Sequence, residues 1–433
     1  MTRAVVVGGG FGGMAAAARL AKLGHDVTLL ERSAGLGGAL RTEHLDGFAW
    51  DAGPSSTLLP AVIRDLFRKS GRPLEREVDL VPLDFVREHR FADGSRLRLP
   101  GGSRAAQLVA FDELGPGLGQ QWVDHVASYG DAWEVLRKEW FERAFDAEVA
   151  PRELTDLLGA RESLHKRLRR VFSDERLRLV AGHGPVMDGH DLRNVPLHAG
   201  VDVYLQQRFG SWTVPGGLAA LGAAMAGRLG TRGVTVLTDT PAVDLVVRAG
   251  RVAAVRTPTG EVAADVVVVA IDPRRLPALA SYVKRTMPAI PPVLVHVGLE
   301  GDVPDLPHEV ALHGDPLLVV RTGGRAPEGA AAWTIVGRGN LAEDPLLALA
   351  RHGIDVRRQV VARIDRSPRD LVEQWGGSPH GMLWRGPRTS RERLGPRTPI
   401  PGVLAAGAHA TTGSGLPFTG LSAALVAELV GRA

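Results

Sequence analysis

The first thirty residues alternate short apolar runs with glycine-rich turns. Ala4 to Val7 form a β-branched run, an alanine-rich segment then follows a glycine cluster and ends before Gly24, and Val27 to Leu30 form a second apolar run. Short apolar runs on either side of a helix-length segment are typical of buried parallel strands joined by a crossover helix. The pattern predicts a strand–helix–strand unit whose tight turn is built from glycine.

The next part of the chain changes from strand to helix periodicity. Residues 86–99 predict a hairpin that turns at Asp93 and Gly94, and residues 105–178 carry apolar positions at helical spacing. This helical part contains three tryptophans that suit either a helical core, which is the commoner use, or the wall of an apolar substrate pocket: Trp122, Trp133 and Trp140.

Strand patterns return in the second half. Residues 234–237 predict a strand, and residues 242–271 predict a three-stranded meander, turning at Gly250 and Gly260, that leads into a buried strand. Further strands are predicted at residues 293–298, 317–321 and 332–337.

Two later segments have their own patterns. Residues 276–295 mix apolar and basic side chains, which predicts an amphipathic surface helix, with contact to a membrane that supplies a lipid-like substrate as the alternative. Residues 401–409 predict a buried strand that runs into glycine, and residues 418–430 predict a closing helix.

Composition places the chain among globular proteins. Its 433 residues suffice for two connected domains, and 44% of them are apolar against 23% charged. The net charge is only +4, and the clearest basic run, His165 to Arg170, suits the solvated face of a helix, with an anionic membrane surface or an acidic partner as the alternative. We therefore expect no nucleic-acid partner.

The absence of cysteine excludes disulfides, thiolate metal sites and cysteine-linked cofactors. The sequence contains no His-x-x-His pair, Ser-His-Asp arrangement or acidic cluster, so we predict no metal site. No apolar run reaches the ~18 residues of a membrane span, and no signal peptide precedes the first strand. We expect a cytoplasmic protein, at most peripheral to a membrane, whose redox chemistry would reside on a bound cofactor.

The glycine cluster has the spacing of a dinucleotide-binding turn. Gly8 suits the tight turn, Gly10 lets the backbone approach a pyrophosphate, and Gly13 lets the helix pack closely against the strand. The helix N-terminus offers free N–H groups to the phosphates, and Glu31 at the end of the second strand can accept hydrogen bonds from ribose hydroxyls. This carboxylate disfavours NADP because it would repel the 2′-phosphate.

The residues after Glu31 distinguish FAD from NAD. The chain continues as Gly35-Leu36-Gly37-Gly38-Ala39-Leu40-Arg41 and later as Phe48-Ala49-Trp50-Asp51-Ala52-Gly53-Pro54-Ser55. These segments resemble the phytoene desaturase branch of the flavin amine oxidase superfamily, in which a Gly-Gly-Arg motif and a Phe-x-x-Asp-x-Gly-Pro segment follow the glutamate. Ala39 stands where that family has arginine, so Arg41 is the candidate to supply the lost contact near the flavin and pyrophosphate.

The resemblance covers nearly the whole chain. From Trp212 to Val243 the sequence resembles the family's return to its FAD domain, which implies that the backbone of Val243 pairs with the adenine. The carboxyl-terminal segment resembles the family's final signature, in which a strand returns beside the first one and the last helix points its N-terminus at the flavin pyrimidine ring. A helix N-terminus there stabilises the negative charge of a reduced flavin. Thr411 stands where carotenoid desaturases tend to carry histidine, and the histidine of this chain is His409.

Together these observations predict an α/β fold, with a Rossmann-like FAD-binding domain and an inserted substrate domain of helices and mixed sheet. The FAD-binding domain is expected at residues 1–85, 205–275 and 375–433, and the substrate-binding domain at residues 86–204 and 276–374. His409 and Thr411 are the candidate catalytic residues, with His380 as a further polar candidate near the ring. The predicted FAD-binding residues are Gly8, Gly10, Phe11, Gly12, Gly13, Glu31, Arg32, Gly37, Gly38, Ala39, Arg41, Gly53, Pro54, Ser55, Val243, Gly407, Ala408, Pro417, Gly420 and Leu421.

The expected function is an FAD-dependent oxidoreductase that desaturates an isoprenoid, polyene or similar apolar molecule by hydride transfer to the flavin. One dinucleotide fingerprint is visible, and flavin reductases with a second fingerprint use it for NAD(P)H, so we expect oxygen, a quinone or another external electron acceptor. The alternatives are a flavin-dependent saturase, isomerase or amine oxidase, and an escort-type binding protein on the same fold. Only three tyrosines are present for the aromatic cage of an amine oxidase, and a carrier would not need an intact glycine fingerprint.

Overall fold

The computed structural model describes residues 2–146 and 148–433, which form strands and helices along the whole described chain. The strands are β1 (Arg3–Val7), β2 (Asp26–Leu30), β3 (Thr42–Leu45), β4 (Phe48–Asp51), β5 (Val81–Pro82), β6 (Phe85–Arg90), β7 (Arg96–Pro100), β8 (Trp212–Thr213), β9 (Thr235–Leu237), β10 (Asp244–Arg248), β11 (Arg251–Thr257), β12 (Gly260–Ala263), β13 (Val266–Val269), β14 (Val293–Glu300), β15 (Glu309–Leu312), β16 (Leu317–Arg321), β17 (Ala330–Arg338), β18 (Val360–Arg366) and β19 (Val403–Ala405).

The helices are distributed unevenly among these strands, with the longest run of them between β7 and β8. They are α1 (Phe11–Lys22), α2 (Pro60–Lys69), α3 (Arg104–Leu114), α4 (Leu118–Ala127), α5 (Gly130–Leu136), α6 (Arg152–Gly159), α7 (Leu164–Val171), α8 (Glu175–Met187), α9 (Val201–Phe209), α10 (Ala219–Thr231), α11 (Pro277–Ala280), α12 (Pro345–Arg351), α13 (Pro368–Trp375), α14 (Thr389–Glu392) and α15 (Leu416–Val430). None of the described helices is long and apolar enough to cross a membrane.

The first of two large sheets is parallel and has the order β19-β13-β1-β2-β9. Ala4 and Val6 of β1 pack with side chains of α1, α10 and α15, while Val5 and Val7 pack on the other face with β10 and β11. Because both faces are covered, β1 is apolar at every position after Arg3 rather than alternating. The predicted strand–helix–strand unit is therefore present as β1, α1 and β2.

The resemblance implied that the carboxyl-terminal strand lies beside the first strand, but the structure places it one strand away. β19 pairs with β13, with Val267 opposite Val403, and β13 pairs in turn with β1, with Ala4 opposite Val266. That expectation was wrong because β13 occupies the side of β1 that β2 leaves open. The carboxyl end of β19 nevertheless reaches the same edge of the sheet as that of β1.

The predicted meander is present, with one strand reassigned. β10, β11 and β12 form a three-stranded antiparallel sheet. Its third strand begins at Gly260, which the sequence predicted as a turn, and β13 leaves the meander to join the parallel sheet.

The second large sheet is mixed and has the order β18-β14-β17-β16-β15-β6-β7. The predicted hairpin joins it as β6 and β7, through the parallel pair β15–β6. Helices α3 to α9 pack against one another around a cluster that includes the three tryptophans of the helical part, Trp122, Trp133 and Trp140, each at most 6% exposed. The tryptophans are core residues, as the commoner interpretation had it.

The amphipathic helix predicted over residues 276–295 is absent from the described chain. The segment forms only short turns, the helix α11 and a turn at Ser281–Val283, and is not helical from there to β14. Pro288, Pro291 and Pro292 explain the error, because proline lacks the N–H that continues a helix. Several side chains of this segment are exposed, among them Ile290 at 61%.

Candidate active site

The turn between β1 and α1 is closed by glycine packing. Gly8 has a φ of +106°, and its N–H donates to the carbonyl oxygen of Leu30 at 2.8 Å. A Cβ at Gly13 would overlap the carbonyl oxygen of Gly8, and one at Gly12 would lie 2.8 Å from Cα of Gly407. The start of α1 is thus pressed against both β1 and the carboxyl-terminal segment, which requires glycine at these positions.

Space for a ligand remains at Gly10. This residue precedes α1 without any side-chain cap, so the first N–H groups of the helix have no intrahelical partner. Among the described atoms none lies within 4 Å of the position a Cβ of Gly10 would take, and the residue lines a cavity. An open backbone at a helix N-terminus fits a diphosphate.

Glu31 both fixes the glycine turn and borders the cavity. Its Oε2 accepts a hydrogen bond from the N–H of Gly9 at 2.7 Å, and its Oε1 accepts bonds from the N–H and hydroxyl of Ser33 at 2.9 and 2.6 Å. A carboxylate has about four acceptor positions. One acceptor position is left, and the hydrogen bond of Glu31 to a ribose stays a prediction.

Arg41 lies close to Glu31 in the same wall. Its guanidinium donates to Oγ of Ser33 at 2.6 Å and to the carbonyl oxygens of Gly35 and Leu36. Ala39 also lines the cavity but has no charge to offer. Arg41 therefore brings a positive charge to the wall in which Ala39 replaces the arginine of the family. The contact of Arg41 with the cofactor stays a prediction.

Asp51, in the motif from Phe48 to Ser55, connects this motif to the start of α10. Its carboxylate accepts the N–H groups of Leu218 and Ala219 at 2.8 and 3.0 Å, at the start of α10. Burial raises the pKa of Asp51, against the lowering effect of these bonds. The motif thus fixes the start of α10 beside the Gly53–Pro54 part of the cavity wall.

The carboxyl-terminal segment forms the opposite wall. Gly407 has a φ of +86°, and its N–H donates to Oγ of Ser422 at 2.8 Å, which ties the end of β19 to α15. Helix α15 also begins without a side-chain cap, and its Pro417 lines the cavity with Gly407 and Ala408. A second helix N-terminus therefore lies at the same cavity, which suits an electron-rich ring.

One cavity of about 450 Å³ contains most of the predicted site residues. Its wall includes Gly8, Gly10, Phe11, Gly12, Glu31, Gly37, Gly38, Ala39, Arg41, Gly53, Pro54, Gly407, Ala408, Pro417 and the candidate His409. The same cavity continues to apolar side chains of the mixed sheet and of α8: Val86, Met187, Leu294 and Val336. The parts of the chain predicted to bind cofactor and substrate thus share one space.

Several predicted residues lie outside this wall. Arg32 donates to the carbonyl oxygen of Gln374 at 2.7 Å, and the N–H of Val243 donates to the carbonyl oxygen of Arg256 at 2.8 Å. The hydroxyl of Thr411 donates to the carbonyl oxygen of Leu394 at 3.2 Å. The structure does not place these three groups toward the cavity, because each is engaged by another part of the backbone. The catalytic role of Thr411 stays a prediction.

Four more predicted residues have packing positions. Gly13 packs against Gly8, Gly420 lies against Val62 and Leu66 of α2, and Leu421 packs against the helical cluster. Ser55 is buried beside a smaller neighbouring cavity. Their contact with a cofactor stays a prediction.

His409 is a neutral residue of the cavity wall. Its Nε2 lies 3.0 Å from the carbonyl oxygen of Ser378, so Nε2 carries the proton, and Nδ1 has no hydrogen-bond partner among the described residues. Burial lowers the pKa of His409 to about 4. Near neutral pH it offers an acceptor nitrogen rather than a positive charge. His380 also lines the cavity, and its Nδ1 lies 2.8 Å from Oδ1 of Asp188.

The sequence did not predict the charged groups at the far end of the cavity. Arg87 and Arg321 line it, and both bind the buried Glu309, at 2.8 and 3.0 Å. Burial opposes ionisation of Glu309, but the two guanidinium groups outweigh it and lower its pKa to about 2. Asp202 of α9 lines the same end, accepts a bond from Nε2 of Gln206 at 2.7 Å, and has its pKa raised by burial to about 6.

Comparison with known proteins gives matches over nearly the whole chain. The family model of flavin containing amine oxidoreductases matches residues 11–430. The hydroxyneurosporene desaturase of Cereibacter sphaeroides is 28% identical over 487 aligned positions, covering 99% of this chain and 97% of that protein. The neurosporene-forming phytoene desaturase of the same organism is 30% identical over 265 positions, covering 60% of this chain and about half (51%) of that protein.

Solved structures share the fold. Cyclohexylamine oxidase from Brevibacterium oxydans superposes with a TM-score of 0.68 at 17% identity, with 99% of each chain covered. At this identity the likeness concerns the fold alone, and it confirms the predicted α/β fold class with its additional mixed sheet.

Proposed function

The chain belongs to the family of flavin containing amine oxidoreductases and is an FAD-dependent oxidoreductase; from this premise we propose that it desaturates an isoprenoid, polyene or similar apolar molecule. When bound, FAD supplies the redox chemistry by accepting a hydride. The observation that carries the proposal is the single cavity that runs from the glycine turn and the start of α15 to an apolar wall. The first helix N-terminus would hold the diphosphate, Glu31 the ribose and the start of α15 the ring.

The relatives with desaturase names support an apolar substrate, and so does the wall of the cavity. Val86, Leu294 and Val336 are aliphatic groups that suit a hydrocarbon chain. No tyrosine lines the cavity in the described part of the chain, so the aromatic cage of an amine oxidase would have to be built from Trp375 and Phe418. An external acceptor such as oxygen or a quinone remains our proposal for the second half of the reaction.

Desaturation of a C–C bond removes a hydride from one carbon and a proton from its neighbour, so the chain must hold a proton acceptor. We assign this role to Asp202. Its carboxylate lines the cavity, and burial raises its pKa to about 6, close to the pH at which a general base works well. Gln206 orients the carboxylate through its 2.7 Å hydrogen bond.

An Asp202→Asn variant is expected to reduce its flavin at least about 100-fold more slowly, because the amide accepts no proton. Its free energy of unfolding at pH 7.5 should rise by about 1–3 kcal/mol, since a carboxylate whose folded pKa is raised destabilises the protein above that pKa. Anaerobic stopped-flow reduction and urea unfolding measure the two effects. The exposed Asp305→Asn serves as control, and a stabilised variant with an unchanged reduction rate would remove Asp202 from proton transfer.

We also propose that the chain meets a membrane surface beside the cavity. Three exposed apolar side chains, Tyr282, Met287 and Ile290, lie near Lys284 and Arg285 in sequence. The backbone of this segment pairs with residues 381–383, next to the His380 that lines the cavity. Exposed apolar groups with basic neighbours suit an anionic lipid surface that delivers an apolar substrate.

The test is anaerobic reduction of the FAD-loaded protein by a polyene, supplied either in anionic phosphatidylglycerol vesicles or in detergent. We expect bleaching of the visible flavin absorbance in both cases. An Ile290→Asp variant should slow reduction from vesicles but not from detergent, and equal slowing in both would refute the membrane contact. Bleaching by a simple amine with none by any polyene would overturn the proposed substrate class.

A further inference from the structure

Three histidines from distant parts of the chain meet in a buried cluster. His89 lies on β6, His183 on α8, and His313 directly after β15, and their exposed fractions are 0%, 3% and 5%. One ring nitrogen of each lies within 4.8 Å of a ring nitrogen of the other two. The sequence predicted no metal site because these residues have no short spacing that would reveal a common site.

Hydrogen bonding within the cluster is incomplete. Nδ1 of His89 lies 2.8 Å from Nε2 of His313, with the two rings nearly parallel. The ring of His183 stands at 85° to that of His89, with 5.3 Å between centroids. Nε2 of His89 and Nδ1 of His183 are buried and have no partner among the described residues. Buried polar atoms are rarely left without a partner, so Nδ1 of His183 in particular calls for an additional ligand.

We propose that His89, His183 and His313 bind one divalent transition-metal ion, with Zn²⁺ as the best match. Three imidazoles and one exchangeable water make up a common tetrahedral zinc site. Zn–N bonds of about 2.0–2.1 Å hold two ligand nitrogens about 3.3 Å apart, and the His89–His313 pair needs to open only slightly from 2.8 Å. The ion then replaces the proton that these two nitrogens share.

The electrostatics of the surroundings permit this occupant. All three histidines are buried, and imidazole binds a metal ion in its neutral form. The positive charges of Arg87 and Arg321 oppose a cation, and Glu309, which binds both, offsets one of them. The carboxylate of Asp202, which also feels the charge of Arg87, is the second negative group near the cluster. The chain has no cysteine, so imidazole nitrogen is its best donor for a borderline metal.

The ion has a structural role in this arrangement. It connects a strand of the mixed sheet, a helix of the helical cluster and the segment after β15. Arg87, two residues before His89 on the same strand, lines the cavity. The metal therefore fixes one wall of the substrate end of the cavity by cross-linking the helices to the sheet.

The test uses the untagged, FAD-loaded full chain, treated with chelator and dialysed against micromolar Zn²⁺. We expect one zinc ion per chain, a higher unfolding temperature with zinc, and no stoichiometric zinc in His183→Ala or His89→Gln. The control His125→Ala removes a buried histidine outside the cluster and should keep its zinc.

Zinc X-ray absorption of the wild-type protein gives a readout that does not depend on the folding of any variant. Imidazole scattering from three nitrogen ligands at about 2.0 Å is expected. Wild-type protein that takes up no stoichiometric zinc, a spectrum without imidazole ligands, or equal zinc loss in His125→Ala and His183→Ala would overturn the site.

Discussion

A Gly10→Val variant is expected to fold normally and to lose its FAD. Gly10 has an extended backbone, with φ −72° and ψ 175°, which valine adopts readily. No described atom lies within 4 Å of the position of its Cβ, so the new side chain meets the cavity rather than the protein. It occupies the space in which the backbone approaches the diphosphate, and we expect the Kd for FAD to rise by at least about 100-fold, or ~3 kcal/mol.

Two measurements separate cofactor binding from folding in this experiment. Flavin released per chain on denaturation reports retention, and urea unfolding in the absence of FAD reports the stability of the polypeptide. Gly227→Val on the exposed face of α10 controls for the added valine. Gly13→Ala should behave differently and destabilise the fold itself, because its Cβ would overlap the carbonyl oxygen of Gly8. A Gly10→Val protein that keeps a full complement of FAD would show that the glycine turn does not hold the cofactor.

The local pattern of the sequence predicted the helices and strands well, but it predicted poorly which strands lie side by side. The unit from β1 to β2 depends on neighbours in sequence, and the periodicity of the chain determines it. The position of β19 depends on whether β1 or β13 has a free edge, and that follows from the whole sheet. The amphipathic pattern of residues 276–295 predicted a helix, and Pro288, Pro291 and Pro292 in the same segment prevent it.

The site residues show the same difference between what local motifs determine and what the packed structure determines. Residues of the glycine motifs reach the cavity because each motif forms one turn at the end of a strand. Val243 and Thr411 were predicted from the resemblance, and whether each reaches the cavity depends on which backbone groups lie nearby. Asp202, Arg87 and Arg321 come from three separate elements, so only the packed structure brings them to one end of the cavity.

Acid should unfold this protein well above the pH at which carboxylates are protonated. Five buried histidines outside the proposed metal site have pKa values lowered by burial from 6.5 to about 4: His125, His190, His198, His296 and His409. Each takes up its proton more readily in the unfolded chain. Their contribution to stability is therefore complete above pH 6.5 and is lost progressively as the pH falls toward 4.

At pH 5 each of these histidines favours unfolding by about 2 kcal/mol, and together they reach about 10 kcal/mol, which matches the whole stability of a typical domain. Asp202 opposes the trend, since its raised pKa adds at most about 3 kcal/mol as the pH falls. Urea unfolding at fixed FAD concentration between pH 7.5 and 5 should show a steep loss of stability. Replacing His125 with Gln should lower the slope by about one proton, or ~1.4 kcal/mol per pH unit, whereas the exposed His44→Gln should not. Stability that stays constant down to pH 5 would mean that these histidines gain their protons in the folded state without opening the core.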